Sequence, residues 1–153
     1  MNKNTAELEN EISKAESLED FLDGNKENFF DFDLPKYLNF LLTEKNLSKP
    51  EIIKKSELDY VYAYHIFSGR KKKPSRNKII SLALAMKCSL EETQRLLYYA
   101  NVEKLYVRNE WDSIIVFALE KHFTVKQTNE LLNEFNFSNL IGEFSTKKAD
   151  NES

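Results

Sequence analysis

Cysteine occurs once in this chain of 153 residues, at Cys88, and histidine twice, at His65 and His122. A lone thiol excludes a disulfide framework. One cysteine with two distant histidines offers no zinc-ligand spacing, so no metal site and no cofactor is assigned. Cys88 itself reads as a small buried hydrophobe before it reads as a reactive thiol. Glycine and proline number three each, too few for the turns of a β-sandwich. There is no glycine-rich phosphate loop and no Ser/His/Asp arrangement, so no catalytic residue is assigned and the chain is not read as an enzyme. Long apolar runs are missing too. IIVFAL, residues 114–119, falls far short of the roughly 20 residues that span a bilayer. The first sixteen residues, MNKNTAELENEISKAE, lack the apolar stretch of a secretory signal. Together these absences imply a cytoplasmic protein with no membrane partner.

What is present is a globular composition, 41% hydrophobic and 31% charged, at a length suited to one domain with flanking elements. The net charge of −3 is unevenly spread. Residues 1–33 carry three lysines against ten acids, a balance of −7. Residues 34–103 carry thirteen basic residues against seven acids, +6, and residues 104–153 six against eight, −2. A basic centre between acidic ends points toward nucleic acid more strongly than the total does.

Apolar spacing and capping signals predict helices throughout. Residues 5–22 read as one acidic helix with a thin stripe of Leu8, Ile12 and Leu18. Leu34, Tyr37, Leu38, Leu41 and Leu42 recur at helical spacing over residues 34–47. Ser48-Lys-Pro-Glu51 has the capping-box pattern and opens a second helix to about Lys55. Asp59 is a natural N-cap for a third, Tyr60 to Phe67, which Gly69 would end. Ser75 and the capping box Ser89-Leu-Glu-Glu92 open a fourth and a fifth. EWDSIIVFALEKH and TVKQTNELLNEF add an amphipathic pair, the second capped by Thr124. No strand pattern of any length appears, so the fold class is all-α.

The stretch LPKYLNFLLTEKNLSKPEIIKKSELDYVYAYHIFSGRKKKPSRNKIISLALAMKCSLEETQRLL, under half of the chain, resembles the XRE family, the Cro/repressor-type helix-turn-helix of bacteria and phages. L-S-x-x-E-I, Leu58, Ile66, the S-G-R and P-S spacing and S-L-E-E all fall in register with it. The resemblance implies a five-helix helix-turn-helix domain over residues 34–103. An acidic helical segment, 1–33, would precede it; a helical extension, 104–145, and a disordered tail, 146–153, would follow. It further implies double-stranded DNA as partner, a homodimer on two half-sites, and a role in transcription regulation. The third helix would lie in the major groove with Tyr60, Val61, Tyr64 and His65 toward the bases and Ala63 and Ile66 inward. Lys49, Ser68, Arg70, Lys71, Lys72, Lys73, Arg76 and Lys78 would meet phosphates.

The chain departs from that family in two places. Glu57 stands in the turn where glycine is favoured because the backbone tends to positive φ, at a cost of about 1 kcal/mol. Ile53 stands where a small residue is common, and pairing it with Ala63 conserves volume. The base-facing side also lacks the Arg, Asn or Gln that makes bidentate base pairs. A second reading therefore stands beside the first: an adaptor or sensor that keeps the fold and binds protein through the tyrosine face or the C-terminal helices. The aromatic and apolar residues of that extension (Trp111, Ile114, Ile115, Phe117, Leu131, Leu132, Phe135) either enlarge the core or form an interface. The −7/+6 contrast suggests that the acidic segment screens the basic loop; deleting residues 1–30 would then raise DNA affinity at low salt.

Overall fold

Helix caps, which need only a few consecutive residues, account for most of the element boundaries. A computed structural model describes residues 3–29 and 32–142; residues 146–153, expected to be a disordered tail, lie outside them. Among the described residues there are nine α-helices and no strand. No helix is long and apolar enough to cross a membrane. The chain divides into two units, Met1–Phe32 and Asp33–Ser153.

In the first unit the single helix expected over residues 5–22 is two, α1 (Thr5–Lys14) and α2 (Leu18–Gly24), followed by a 3₁₀ turn at Lys26–Asn28. Asn4 and Glu7 form a reciprocal capping box on α1. The break lies where Ala15 turns extended and the Ser17 hydroxyl accepts from the Asp20 amide at 3.1 Å. A serine that satisfies an amide locally offers the backbone an alternative to continuing the helix. Behind it Phe21 is buried and meets Phe29 edge-on at 6.3 Å. The buried Asn25 holds the unit together: its amide donates to Glu11 (3.0 Å) and to the Phe21 carbonyl (2.9 Å), and its oxygen accepts from Lys3 and Asn28. Hydrogen bonds from Lys3 and then Asn25 hold the Glu11 carboxyl below the usual range.

The second unit contains α3 (Leu34–Glu44), α4 (Lys49–Ser56), α5 (Tyr60–Ser68), α6 (Arg76–Ala85), α7 (Leu90–Tyr99), α8 (Glu110–Glu120) and α9 (Val125–Glu134). Its centre is α6, whose residues from Ile79 to Ala85 are all buried. α4, α7 and α9 pack on it, α3 packs on α5 and α7, and α8 pairs with α9 and touches α7. The C-terminal pair thus belongs to the same unit as the helices before it. Of its apolar residues, Ile115 and Leu132 are buried, Trp111, Ile114 and Leu131 are half-buried, and Phe117 and Phe135 are exposed. Cys88 is buried, and loss of solvation followed by the nearby Glu92 pushes its thiol up to about 12. It is therefore a hydrophobe and not a nucleophile at neutral pH.

The scarcity of glycine shows at the helix ends. α3, α6, α7, α8 and α9 each close with a left-handed residue, Asn46, Lys87, Asn101, His122 and Asn136. In each the next amide reaches back to the last turn, as from Leu47 to the Leu42 carbonyl (2.8 Å), Cys88 to Ala83 (3.0 Å) and Phe123 to Ala118 (2.9 Å). This is the Schellman closure, normally built on glycine. The residue after the left-handed one is apolar: Cys88 is buried, and Leu47, Val102, Phe123 and Phe137 are half-buried. After three of these turns Ser48, Ser89 or Thr124 caps the next helix directly, so α3–α4, α6–α7 and α8–α9 share one tight junction. Ser89 and Thr124 complete capping boxes; Ser48 accepts loosely from the Glu51 amide at 3.5 Å without the reciprocal bond. Ser75 stands at the start of α6 with no capping hydrogen bond from its side chain.

Candidate nucleic-acid interface

The turn between α4 and α5 is only three residues, Glu57 to Asp59, and local hydrogen bonds hold it. The buried Ser56 hydroxyl donates to the Ile53 carbonyl (2.6 Å) and accepts from the Leu58 amide (3.2 Å). Glu57 takes the left-handed conformation, φ 61° and ψ 15°. The Asp59 carboxylate accepts from the Tyr62 amide at 3.0 Å, so it caps α5. Ile53 and Ala63 are both buried, on two helices that pack together.

α5 buries Ala63, Ile66 and Phe67 and turns its other side outward. Tyr60, Val61 and Tyr64 are 53%, 58% and 47% exposed, and His65 is half-buried. Tyr60 and Tyr64 stack with ring centres 6.3 Å apart. Gly69 closes the helix at φ 86°, and a side chain there would press to 3.2 Å on Pro35 of α3. Beyond it the Lys71 amide donates to the His65 carbonyl (3.0 Å), and Ser68 bridges His65 and Arg70. The basic loop is therefore tied by its backbone to the last turn of α5.

Cations from three elements border this face. Lys49, at the start of α4, holds its Nζ 5.7 Å from the Tyr64 ring and 5.4 Å from Phe67. On the other flank Lys71 of the loop and Lys78 of α6 lie 5.2 and 4.9 Å from the ring of Tyr62. Arg70, Lys72 and Lys73 are exposed. Among the described residues no carboxylate lies within salt-bridge distance of Lys49, Arg70, Lys71, Lys72, Lys73 or Lys78. Among the described residues, then, their charge is not paired with a carboxylate.

Tyr62 has no place among the sequence-derived site residues, yet it is the platform for two lysines. The alternation YVYAY is its only trace in the sequence, since residues two apart on a helix face different flanks. Arg76 differs in the opposite sense. The helix-turn-helix resemblance places it on a phosphate; here its guanidinium pairs with both oxygens of Asp112 (3.1 and 2.8 Å) and donates to the Glu103 and Lys104 carbonyls (2.8 and 3.0 Å). Asp112 also accepts from the Tyr106 amide at 2.9 Å. Arg76 thus neutralises a buried carboxylate and fastens α6 to α8. As the first residue of α6 it reaches the α7–α8 connection.

Among the described residues no group of His, Cys, Asp and Glu could hold a metal ion. No protein-family model, curated protein or solved structure matches the chain.

Proposed function

We propose that the protein is a DNA-binding transcriptional regulator of helix-turn-helix type, with α4 and α5 as the motif and α5 in the major groove. The observation that carries this reading is the cationic border, Lys49, Lys71 and Lys78 with Arg70, Lys72 and Lys73, in no ion pair among the described residues, around an exposed face of a short, well-capped helix. A major groove about 12 Å wide admits one helix. Cations at both edges of that helix meet the two phosphate backbones, which supply most of the affinity. Tyr60 and Tyr64 offer one hydroxyl each, and their rings with Val61 suit thymine methyl groups, which favours A·T-rich half-sites. In such a motif a single module reads few base pairs, so two copies on half-sites about 34–36 Å apart complete the reading. A DNA target implies action in the cytoplasm.

A second reading, a protein-binding adaptor that keeps the helical arrangement, is favoured by one feature: the outward face of α5 has stacked tyrosines and no amide or guanidinium. One experiment separates the two. DNA binding is measured by fluorescence anisotropy on fragments from around the protein's own gene, over a salt series with random DNA as competitor. Selective binding that weakens steeply with salt, and that Lys71→Glu/Lys72→Glu/Lys73→Glu abolishes, supports the regulator. Equal weak binding to all fragments, or none at low salt, refutes it and leaves the adaptor.

A further inference from the structure

α8 buries Asp112, Ile115, Ala118 and Leu119 where it packs on α7 and α9. On the side turned away from these it carries a second, uncovered stripe. Glu110, Ile114, Phe117 and Lys121 follow one another four, three and four residues apart. At 3.6 residues per turn that spacing keeps all four in one narrow line along the helix. Phe117 is 48% exposed. It meets the half-buried Phe123 edge-on with ring centres 5.8 Å apart, and Lys121 holds its Nζ 5.6 Å from the Phe117 ring. Ile114 is half-buried, and Glu110 and Lys121 at the two ends are exposed. Neither charged end is in an ion pair among the described residues. A line of acid, two apolar residues and base is complementary to itself when reversed.

We propose that this stripe is a dimer surface, on which α8 pairs antiparallel with α8 of a second copy of the chain. About a two-fold axis midway along the helix, Glu110 meets the partner's Lys121 and Lys121 the partner's Glu110, while Ile114 and Phe117 exchange contacts between them. A two-fold interface requires this reciprocity, residue i on j and j on i. The spacing satisfies it for both pairs at once, since Glu110 and Lys121 lie equally far from the midpoint, as do Ile114 and Phe117. A parallel pairing would instead set glutamate beside glutamate and lysine beside lysine, which repel. Charge thus selects the occupant, a second copy, and its direction. The apolar centre supplies the attraction, as at the a and d positions of a coiled coil. α8 has 11 residues, and one such face is smaller than the roughly 800 Å² per partner of a standard interface. The dimer is therefore weak in solution, with a Kd of about 1–100 µM. It gives the regulator reading the second copy which that reading calls for, yet it rests on α8 alone and holds whatever α5 binds.

Sedimentation equilibrium of the full chain without DNA, over about 1–500 µM protein, tests this. A reversible monomer–dimer equilibrium in the micromolar range is expected. Phe117→Ala should weaken it by at least about tenfold. Glu110→Lys and Lys121→Glu each bring like charges together at both ends of the seam, and each should weaken it by about tenfold. The double variant Glu110→Lys/Lys121→Glu restores opposite charges and should return to within about threefold of wild type. All three positions are exposed, so the thermal unfolding midpoint of every variant should stay close to wild type. A chain that remains monomeric up to about 500 µM overturns the proposal. So does a dimer that Phe117→Ala leaves unchanged, or a double variant as weak as either single one. With no DNA present, none of these outcomes bears on the reading of α5.

Discussion

α5 and α6 follow one another along the chain, and the more apolar of the two is the more exposed. α5, YVYAYHIFS, is apolar or aromatic at seven of nine positions and buries three; α6, RNKIISLALA, is apolar at six of ten and buries seven in a row. Burial therefore does not follow hydrophobicity. It follows position: α6 has α4, α7 and α9 packed on it, whereas α5 packs on α3 and α4. Exposed side chains on α5 forgo the stabilisation that burial brings, about 25 cal/mol per Å². The fold leaves a face of stacked tyrosines, bordered by lysines, uncovered on α5, whereas it encloses α6.

The contrast can be broken most severely at α6. Leu82→Ala removes a fully buried side chain and should cost about 2.7–5 kcal/mol in urea unfolding. Tyr64→Ala on α5 should move the same transition by no more than about 0.5–1 kcal/mol, the worth of an exposed stack and cation–π contact. Comparable losses would mean that the α5 face is part of the core.

Next in size is Arg76→Ala, which strands the buried Asp112 carboxylate. Truncating one partner of a buried pair costs about 3–5 kcal/mol; with Arg76 partly exposed, about 2–3 kcal/mol is expected in thermal or urea unfolding. The salt slope of DNA binding should stay as in wild type, and a slope lowered by about one would restore Arg76 to the phosphate-contacting set.

Glu57→Gly relieves a left-handed glutamate and should raise stability by about 0.5–1 kcal/mol. A loss instead would mean that the carboxylate has a partner worth more than the strain.

Smallest in stability is Lys72→Ala, at an exposed position, within about 0.5 kcal/mol of wild type. Its effect should appear only with DNA, as a slope of log K against log salt shallower by about 0.9. A full-strength slope would remove Lys72 from the contact set.

Much of this arrangement is legible in a few consecutive residues. Asp59 three residues before Tyr62, Ser89 before Glu92 and Thr124 before Gln127 announce helix starts because one side chain satisfies one nearby amide. Gly69 announces an end because its φ of 86° suits glycine alone. The same logic fails at Lys87 and His122, which hold left-handed turns with a residue that gives no sign of them. There the turn is closed by the Cys88 and Phe123 amides, which reach back to the Ala83 and Ala118 carbonyls. It fails again at Ser17, where residues 5–22 read as one helix although the serine cap and the buried Phe21 break it. Nothing in the sequence links Arg76 to Asp112 across 36 residues, and only Trp111 to Phe135 as a set, not singly, announced that some of the tail would be buried.

The all-α character, most helix limits and the grouping of positive charge around residues 70–73 are written locally in the chain, because caps, periodicity and charge act over a few residues. Tertiary structure decided which apolar faces are covered, that Tyr62 carries Lys71 and Lys78, and that Arg76 turns inward. These depend on which helix lands against which, and burial and ion pairing act between segments that the chain order alone does not bring together.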